Sequence, residues 1–356
     1  MKTEKPVCVT GASGFIAAHV VRELLERGYR VRGTVRSVKN PAKNAFLTSL
    51  PGASERLELF EADLEAAGSF DAAIAGCDVV IHTASPYVID VEDPQRDLVD
   101  PAVNGTLNVL RSARDHGVRR VVLTSSMAAI SDEPREGKVF SEADWNEQSS
   151  LTRNPYYFSK AEAERAAWRF VDQEKPSFDL VVINPYMVLG PSISPALNTT
   201  NQLFRDILMG VYPGIMSLGW GFVDVRDVAT AHVLAMENDA AQGRYLCAGE
   251  EMEMRELVAL LKEAGYGPGF KLPRLDMACS IGDFAAKLMS YTQPKGTGSY
   301  LRTHLGKHMR YDNSKIQREL GLTFRPAKES VLDAVEDLFR HGHLERPAGA
   351  MKAVEA

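Results

Sequence analysis

No apolar stretch in the 356 residues approaches the roughly 18 that a membrane-spanning helix needs. No apolar leader with a cleavage site opens the chain, which starts Met-Lys-Thr-Glu-Lys-Pro. Basic residues are not in excess: 41 Lys and Arg stand against 47 Asp and Glu, a net charge of −6. This argues against a nucleic-acid binder. Cysteine is scarce. Cys8, Cys77, Cys247 and Cys279 lie far apart and none forms a Cys-x-x-Cys pair, so neither a zinc site nor a disulfide framework is expected. Buried free thiols in a reducing, cytoplasmic setting are the expectation. Gly (27) and Pro (18) are used at ordinary frequency, which excludes collagen-like and low-complexity chains.

What is present is an ordinary globular composition, 45% apolar and 25% charged, long enough for about two domains. The first half alternates strand and helix patterns. Pro6 to Thr10 reads as a strand. Phe15, Ile16, Val20, Val21, Leu24 and Leu25 then recur at helical spacing up to Gly28, a C-cap glycine. Strand-like runs follow at 29–35, 56–60, 78–82, 119–125 and 178–184, with helix patterns at 70–75, 94–116 and 154–174. Asn154 is placed to cap the last of these, and Asp227 to cap a helix reaching to 236. Continuous apolar strands joined by crossover helices predict an α/β fold, a doubly wound parallel sheet of Rossmann type. After residue 185 the texture loosens. The expected division is a dinucleotide-binding domain at 1–186 plus about 222–248, a smaller, mostly helical substrate region at about 187–221 and 249–345, and a tail at 346–356.

The loop Thr10-Gly11-Ala12-Ser13-Gly14-Phe15-Ile16-Ala17 lies between the first strand and the first helix. Gly11 allows a tight turn, Gly14 lets backbone approach a pyrophosphate, and the helix start offers free N–H groups to phosphates. Ser13, Phe15 and Ile16 complete the turn. An NAD site usually puts an acid near the end of the second strand. Here no Asp or Glu occurs from Arg27 to Ser54, whereas Arg36 and Lys43 do. These two are the candidates for a ribose 2′-phosphate, so NADP(H) is the expected cofactor. Asp63 and Leu64 follow strand three on the adenine side. Thr83, Ala84 and Ser85 end strand four in the nicotinamide layer, and His82 before them reads as a packed histidine.

Tyr156 and Lys160 are one helical turn apart, while Tyr157 has Ala161 at that distance. A phenol titrates near 10, and a neighbouring ammonium favours its charged form. Ser125 and Ser126 end the fifth strand, and Ser126 stands just past it, where a hydroxyl can donate to a carbonyl oxygen. Aromatic and methionine side chains in the second unit suit an apolar pocket. The pocket candidates are Ser85, Tyr87, Met127, Phe204, Tyr212 and Phe222. No metal ligand set is expected.

These motifs, together with Gly68 to Asp78, the run Ala161 to Trp168 and Asn184-Pro-Tyr-Met-Val-Leu-Gly-Pro191, resemble the extended short-chain dehydrogenase/reductases. The resemblance is greatest to the dihydroflavonol 4-reductase and cinnamoyl-CoA reductase branch. It implies Ser126, Tyr156 and Lys160 as the catalytic set. It also implies cofactor contacts from Arg36, Lys43, Asp63 and the Pro185 to Val188 turn. The chain departs from the cinnamoyl-CoA pattern Asn-Trp-Tyr-Cys-Tyr-Gly-Lys at Pro155, Tyr157, Phe158 and Ser159. It also has Ser131 where plant dihydroflavonol reductases commonly carry Asn. The expected activity is NADPH-dependent reduction of an apolar or aromatic ketone or aldehyde. The alternatives are a nucleotide-sugar epimerase or dehydratase, and a redox-sensing regulator that binds NADP without turnover. Expected partners are the small-molecule substrate alone, with no nucleic acid and no membrane, in a monomer or homodimer.

Overall fold

The computed structural model describes residues 4–86, 91–267 and 269–346. The strands β1 (Val7–Thr10), β2 (Val31–Val35), β3 (Leu57–Glu61), β4 (Val79–His82), β5 (Arg120–Thr124), β6 (Asp179–Pro185) and β7 (Gly243–Cys247) form one sheet. Their spatial order is β7-β6-β5-β4-β1-β2-β3, and every pairing is parallel. The chain therefore starts in the middle of the sheet and winds outward both ways, which opens a crevice at the carboxyl ends of β1 and β4. β7 is the strand that local pattern did not single out.

The helices α1 (Phe15–Glu26), α2 (Asp100–Asp115), α3 (Pro155–Glu174) and α4 (Val225–Glu237) cover the sheet. Val20, Val21, Leu24 and Leu25 of α1 pack with Val228, Ala231 and Ala235 of α4 against Val7, Val9, Val79 and Ile81. On the other face Val109, Leu110 and Ala113 of α2 and Ala167 and Phe170 of α3 cover Val80, Val121 and Val182. Gly28, at φ +82, turns the chain out of α1 and into β2 where the sequence placed it.

One expected cap holds in position only, and one is corrected. Asn154 is the N-cap of α3, left-handed at φ +47, but its side chain makes no cap bond. Its side-chain amide instead donates to Asp132 Oδ1 at 2.8 Å and Thr303 Oγ1 at 3.2 Å. Asp224, not Asp227, caps α4, accepting from the Arg226 N–H at 2.8 Å. Asp227 sits in the first turn and pairs with Arg325. Chain neighbours alone do not reveal these partners, which are remote in sequence. The helix pattern at 94–116 is also broken, with a wide turn at Gln95–Val99 before α2.

A second apolar core gathers Leu189, Phe204, Trp220, Phe222, Leu257, Leu305 and Val335, all from beyond residue 185. Arg346 pairs with Glu336. The rest of the expected tail lies outside the described residues. Cys8, Cys77 and Cys247 are buried, but Cys279 is exposed, contrary to the expectation for all four.

Candidate active site

The turn from β1 to α1 is shaped for an approaching ligand. Gly11 is left-handed at φ +64, and a Cβ there would lie 3.0 Å from Ala84 Cβ. A Cβ on Gly14 would meet the Gly11 carbonyl oxygen at 3.1 Å. Ser13 and Gly14 are exposed, while Phe15 and Ile16 are half-buried. α1 begins with no side-chain cap and no acid in its first turn, so its N–H groups and dipole are left for an anion. This cradle fits the pyrophosphate of a dinucleotide. Thr10 ties the turn to β4: its Oγ1 meets His82 Nδ1 at 2.7 Å and accepts the Thr83 and Ala84 N–H groups at 3.2 and 3.1 Å. Burial, reinforced by the Lys160 charge, pulls the His82 pKa down to about 3, so His82 stays neutral at this junction.

Two of the arginines around β2 are already ion-paired. Arg27 pairs with Glu23 and Glu237, and Arg32 with Glu58. Arg36 and Lys43 are exposed, and neither forms an ion pair with a described residue. Lys39 is exposed there as well. Asp63 is exposed and its carboxylate accepts the Glu65 N–H at 3.0 Å. Leu64 is half-buried against Gly105, where a Cβ would come within 2.9 Å of it. Pro185 is buried and Val188 half-buried at the end of β6.

The start of α3 brings the candidate catalytic groups together. Lys160 Nζ lies 5.4 Å from the centroid of the Tyr156 ring and donates to Ser85 Oγ at 2.5 Å. Burial lowers the Lys160 pKa to about 8, still above neutrality, so the ammonium persists there. Tyr157 turns away to Tyr300 and His304, with ring centroids 6.5 and 5.9 Å distant. Burial pushes its phenol up, away from ionisation.

The two serines divide sharply. Ser125 Oγ donates to Glu164 at 2.5 Å, in the protein interior. Ser126 Oγ accepts the Ala128 N–H at 3.1 Å, and its own O–H donates to no described residue. Glu164 is the group that sequence reasoning missed. It follows Lys160 by one turn, is fully buried, and accepts also from Asn184 Nδ2 at 2.7 Å and Arg244 Nε at 2.6 Å. Asn184 Nδ2 reaches the Ser126 carbonyl at 3.2 Å as well. The signal was the four-residue spacing after Lys160; its cation, Arg244, lies 80 residues on.

Three of the six pocket candidates are core residues. Phe204 and Phe222 have essentially no accessible surface and pack on each other, with centroids 6.0 Å apart, in the second core. Met127 is equally buried, with Ile130, Phe140 and Met309. These three are core residues, a correction that follows from their apolarity: the same character that suits a pocket also builds an interior. Tyr212 is half-buried and Ser85 exposed. Tyr87 lies outside the described residues.

Among the described residues no group of three His, Cys, Asp or Glu could hold a metal ion. No described helix is long and apolar enough to cross a membrane.

A family model described as the NAD dependent epimerase/dehydratase family matches residues 7–248. The chain is 46% identical over 343 residues to Cinnamoyl-CoA reductase CAD2 of Medicago truncatula, spanning 93% of this chain and 95% of that one. It is 40% identical over 344 residues to Cinnamoyl-CoA reductase 1 of Arabidopsis thaliana, spanning 96% and 91%. Among solved structures it resembles Gre2 of Candida albicans in complex with NADPH, at TM-score 0.78 and 34% identity, covering 94% of this chain and 99% of that one. The fold, the glycine turn and these matches agree: the chain belongs to the NAD dependent epimerase/dehydratase family, as an oxidoreductase of its extended short-chain dehydrogenase/reductase branch.

Proposed function

We propose that this protein reduces a ketone or aldehyde to an alcohol, with NADPH as hydride donor and Tyr156 as proton donor. The observation that carries the reading is the Tyr156–Lys160–Ser85 arrangement, together with Ser126 at the end of β5, whose hydroxyl hydrogen is donated to no described residue. The cofactor, when bound in the glycine cradle, supplies the hydride to the carbonyl carbon. The rest is the work of side chains. Ser126 donates to the carbonyl oxygen and holds it toward Tyr156. As negative charge grows on that oxygen, the Tyr156 O–H transfers its proton, and the C=O double bond becomes C–O–H. The Lys160 ammonium stabilises the phenolate left behind until solvent returns a proton. Ser85 fixes Lys160 at the end of β4, so the cation does not swing out to water. Exposed Arg36 and Lys43 favour a 2′-phosphate over a bare ribose. Solved relatives support the cofactor: Gre2 of Candida albicans and yeast Gre2, a methylglyoxal/isovaleraldehyde reductase, were both determined with NADPH.

The substrate class follows from the departures around Tyr156. Apolar or aromatic aldehydes and ketones are preferred over free sugars and CoA thioesters. The test is NADPH consumption with a panel of aldehydes, ketones, a cinnamoyl-CoA thioester and a sugar nucleotide. Stoichiometric cofactor loss with free carbonyls supports the reading. A higher specificity constant for the thioester than for every free carbonyl overturns the substrate class, and no turnover with any of them overturns the activity.

A further inference from the structure

The helix α5 (Ser280–Met289) is built inside out. An ordinary surface helix turns its large apolar residues inward. Here the inward face is small. Gly282 is buried so tightly that a Cβ would fall 2.0 Å from the Met277 carbonyl oxygen, and Ala286 is buried beside it. The outward face carries Ile281, Phe284 and Leu288, exposed by 83%, 71% and 64%. Tyr291 continues the same three- and four-residue spacing and is 72% exposed. Scattered exposed apolar residues need no explanation, but a continuous stripe of this kind marks an interaction surface.

Charge says what the stripe fits. The chain carries net −6, yet residues 270–310 hold seven Lys or Arg against two Asp; of the seven, Lys307 is paired with Glu133. Neither acid offsets these cations: Asp276 is exposed but ion-paired, and Asp283 is half-buried. Asp276 is paired with Arg255 at 2.8 Å, and Asp283 faces Gly306, where a Cβ would meet its carboxylate at 3.0 Å. Lys271, Arg274 and Lys295 are exposed, and the half-buried Arg302, which donates to Ser290 at 3.2 Å, lies 4.6 Å from the Tyr291 ring centroid. A second copy docked by two-fold symmetry would set these like charges face to face. A neutral apolar partner would have no use for them. An anionic lipid surface takes both features at once, apolar side chains at the acyl boundary and Lys and Arg among the headgroups.

We propose that the α5 stripe docks this protein on an anionic lipid surface. The contact is peripheral, and it extends the molecule beyond the membrane-free partner set expected from sequence. It also lies close to the chemistry. The next helix, α6 (Lys295–His304), places Ser299 Oγ 3.0 Å from the Asn154 N–H and Thr303 Oγ1 3.2 Å from the Asn154 amide, at the start of α3. Docking by α5 therefore sets the catalytic helix one helix away from the lipid.

The experiment uses the full chain with vesicles of phosphatidylcholine, with and without phosphatidylglycerol, in a flotation assay. The variants are Phe284→Glu and Ile281→Asp/Leu288→Glu, with thermal stability and turnover of a water-soluble aldehyde as controls. The expected result is partitioning onto the anionic vesicles at least about tenfold above neutral ones, weakened by salt. Either variant lowers it by about tenfold or more while soluble turnover is unchanged. Four outcomes overturn the proposal: no partitioning on either vesicle; equal partitioning on both; binding that survives both variants; or, without lipid, a dimer that the variants convert to monomer. A raised KM for the soluble aldehyde in the variants also overturns it, because the stripe would then belong to the substrate pocket. The flotation and oligomer outcomes do not depend on which carbonyl the enzyme prefers.

Discussion

Glu164 and Arg244 meet at 2.6 Å with side chains 0% and 7% exposed, directly under the strand ends that carry Ser125, Ser126 and Asn184. The pair is a joint between α3 and three strands. Glu164 accepts from Ser125 on β5's end and Asn184 on β6, and Arg244 is on β7. Arg244 is further held by the Glu142 and Asp144 carbonyls and lies 4.0 Å from the Trp145 ring centroid. With Ser125 committed to this joint, strand alternation leaves Ser126 on the other side, toward the crevice.

Breaking the joint from one side is expected to be costly. Glu164→Gln leaves a buried guanidinium without its counter-charge, worth about 3–5 kcal/mol of stability. The double variant Glu164→Gln/Arg244→Met removes both charges and should recover part of the loss. Urea midpoints of the three proteins check this. A single-variant loss under about 1 kcal/mol, or no recovery in the double, would show that the pair is not a coupled unit.

Much of this architecture is legible in the sequence. Apolar runs such as Val79-Val80-Ile81 announce strands buried on both faces, and glycines at 11 and 28 mark turns that only a left-handed residue makes easily. Tyr156 and Lys160 are one turn apart, a relation that sequence displays. What was not legible is long-range and polar. Nothing near Asn154 shows that Asp132 and Thr303 draw its side chain away from the helix end. Nothing near Glu164 names Arg244. Phe204 and Phe222 failed as pocket residues because apolarity does not say whether a ring faces a ligand or an interior.

Cofactor choice is expected to turn on Arg36. Arg36→Asp puts a carboxylate where the exposed guanidinium stood, which repels a 2′-phosphate and can accept from a 2′-hydroxyl. The ratio of specificity constants for NADPH over NADH should fall by about tenfold or more, the scale of losing a charge-assisted contact. A variant that keeps the wild-type ratio would remove Arg36 from the site.

Lys160 sets function against stability. Its folded pKa is lowered from the ordinary lysine value to about 8 by burial, so the charged form is penalised in the folded state. That penalty is fully present below pH 8 and relieved as pH rises from about 8 toward 10.5, where the unfolded chain still holds the proton. Lys160→Met is therefore expected to raise stability at pH 7, by up to roughly 3 kcal/mol, while abolishing turnover. In the wild type, reduction should decline above about pH 8 as the ammonium is lost. A destabilised Lys160→Met protein, or a flat rate profile through pH 9, would contradict this.

Four buried histidines make the fold sensitive to acid. Burial lowers His19, His232 and His304 to about 4 and His82 to about 3. Unfolded histidine binds a proton near 6.5, so between about pH 6.5 and 4 the unfolded chain holds protons that the folded one refuses. Stability falls with pH across that window, by up to about 1.4 kcal/mol per pH unit for each histidine. Thermal midpoints at pH 7, 6 and 5 measure the slope. His232→Gln should flatten it by one histidine's share, and an unchanged midpoint from pH 7 to 5 would refute the account.

Tyr156 and Tyr157 offer the sharpest test of the chemistry, because they are neighbours with opposite surroundings. Their rings are 6.0 Å apart and nearly perpendicular. Only Tyr156 has the Lys160 ammonium over its ring, at 5.4 Å. Tyr157 is set among Tyr300 and His304, and burial there disfavours its phenolate. A proton donor must leave a stabilised anion behind, and only one of the two positions supplies a cation for it. Tyr156→Phe keeps the ring and removes the proton, so turnover should fall by about 100- to 10,000-fold while NADPH still binds. Tyr157→Phe should cost far less in turnover. The two variants are compared with one aldehyde substrate, and NADPH binding is followed by fluorescence titration. If Tyr156→Phe keeps near-normal turnover, or if Tyr157→Phe is the variant that dies while binding cofactor, the proton comes from elsewhere.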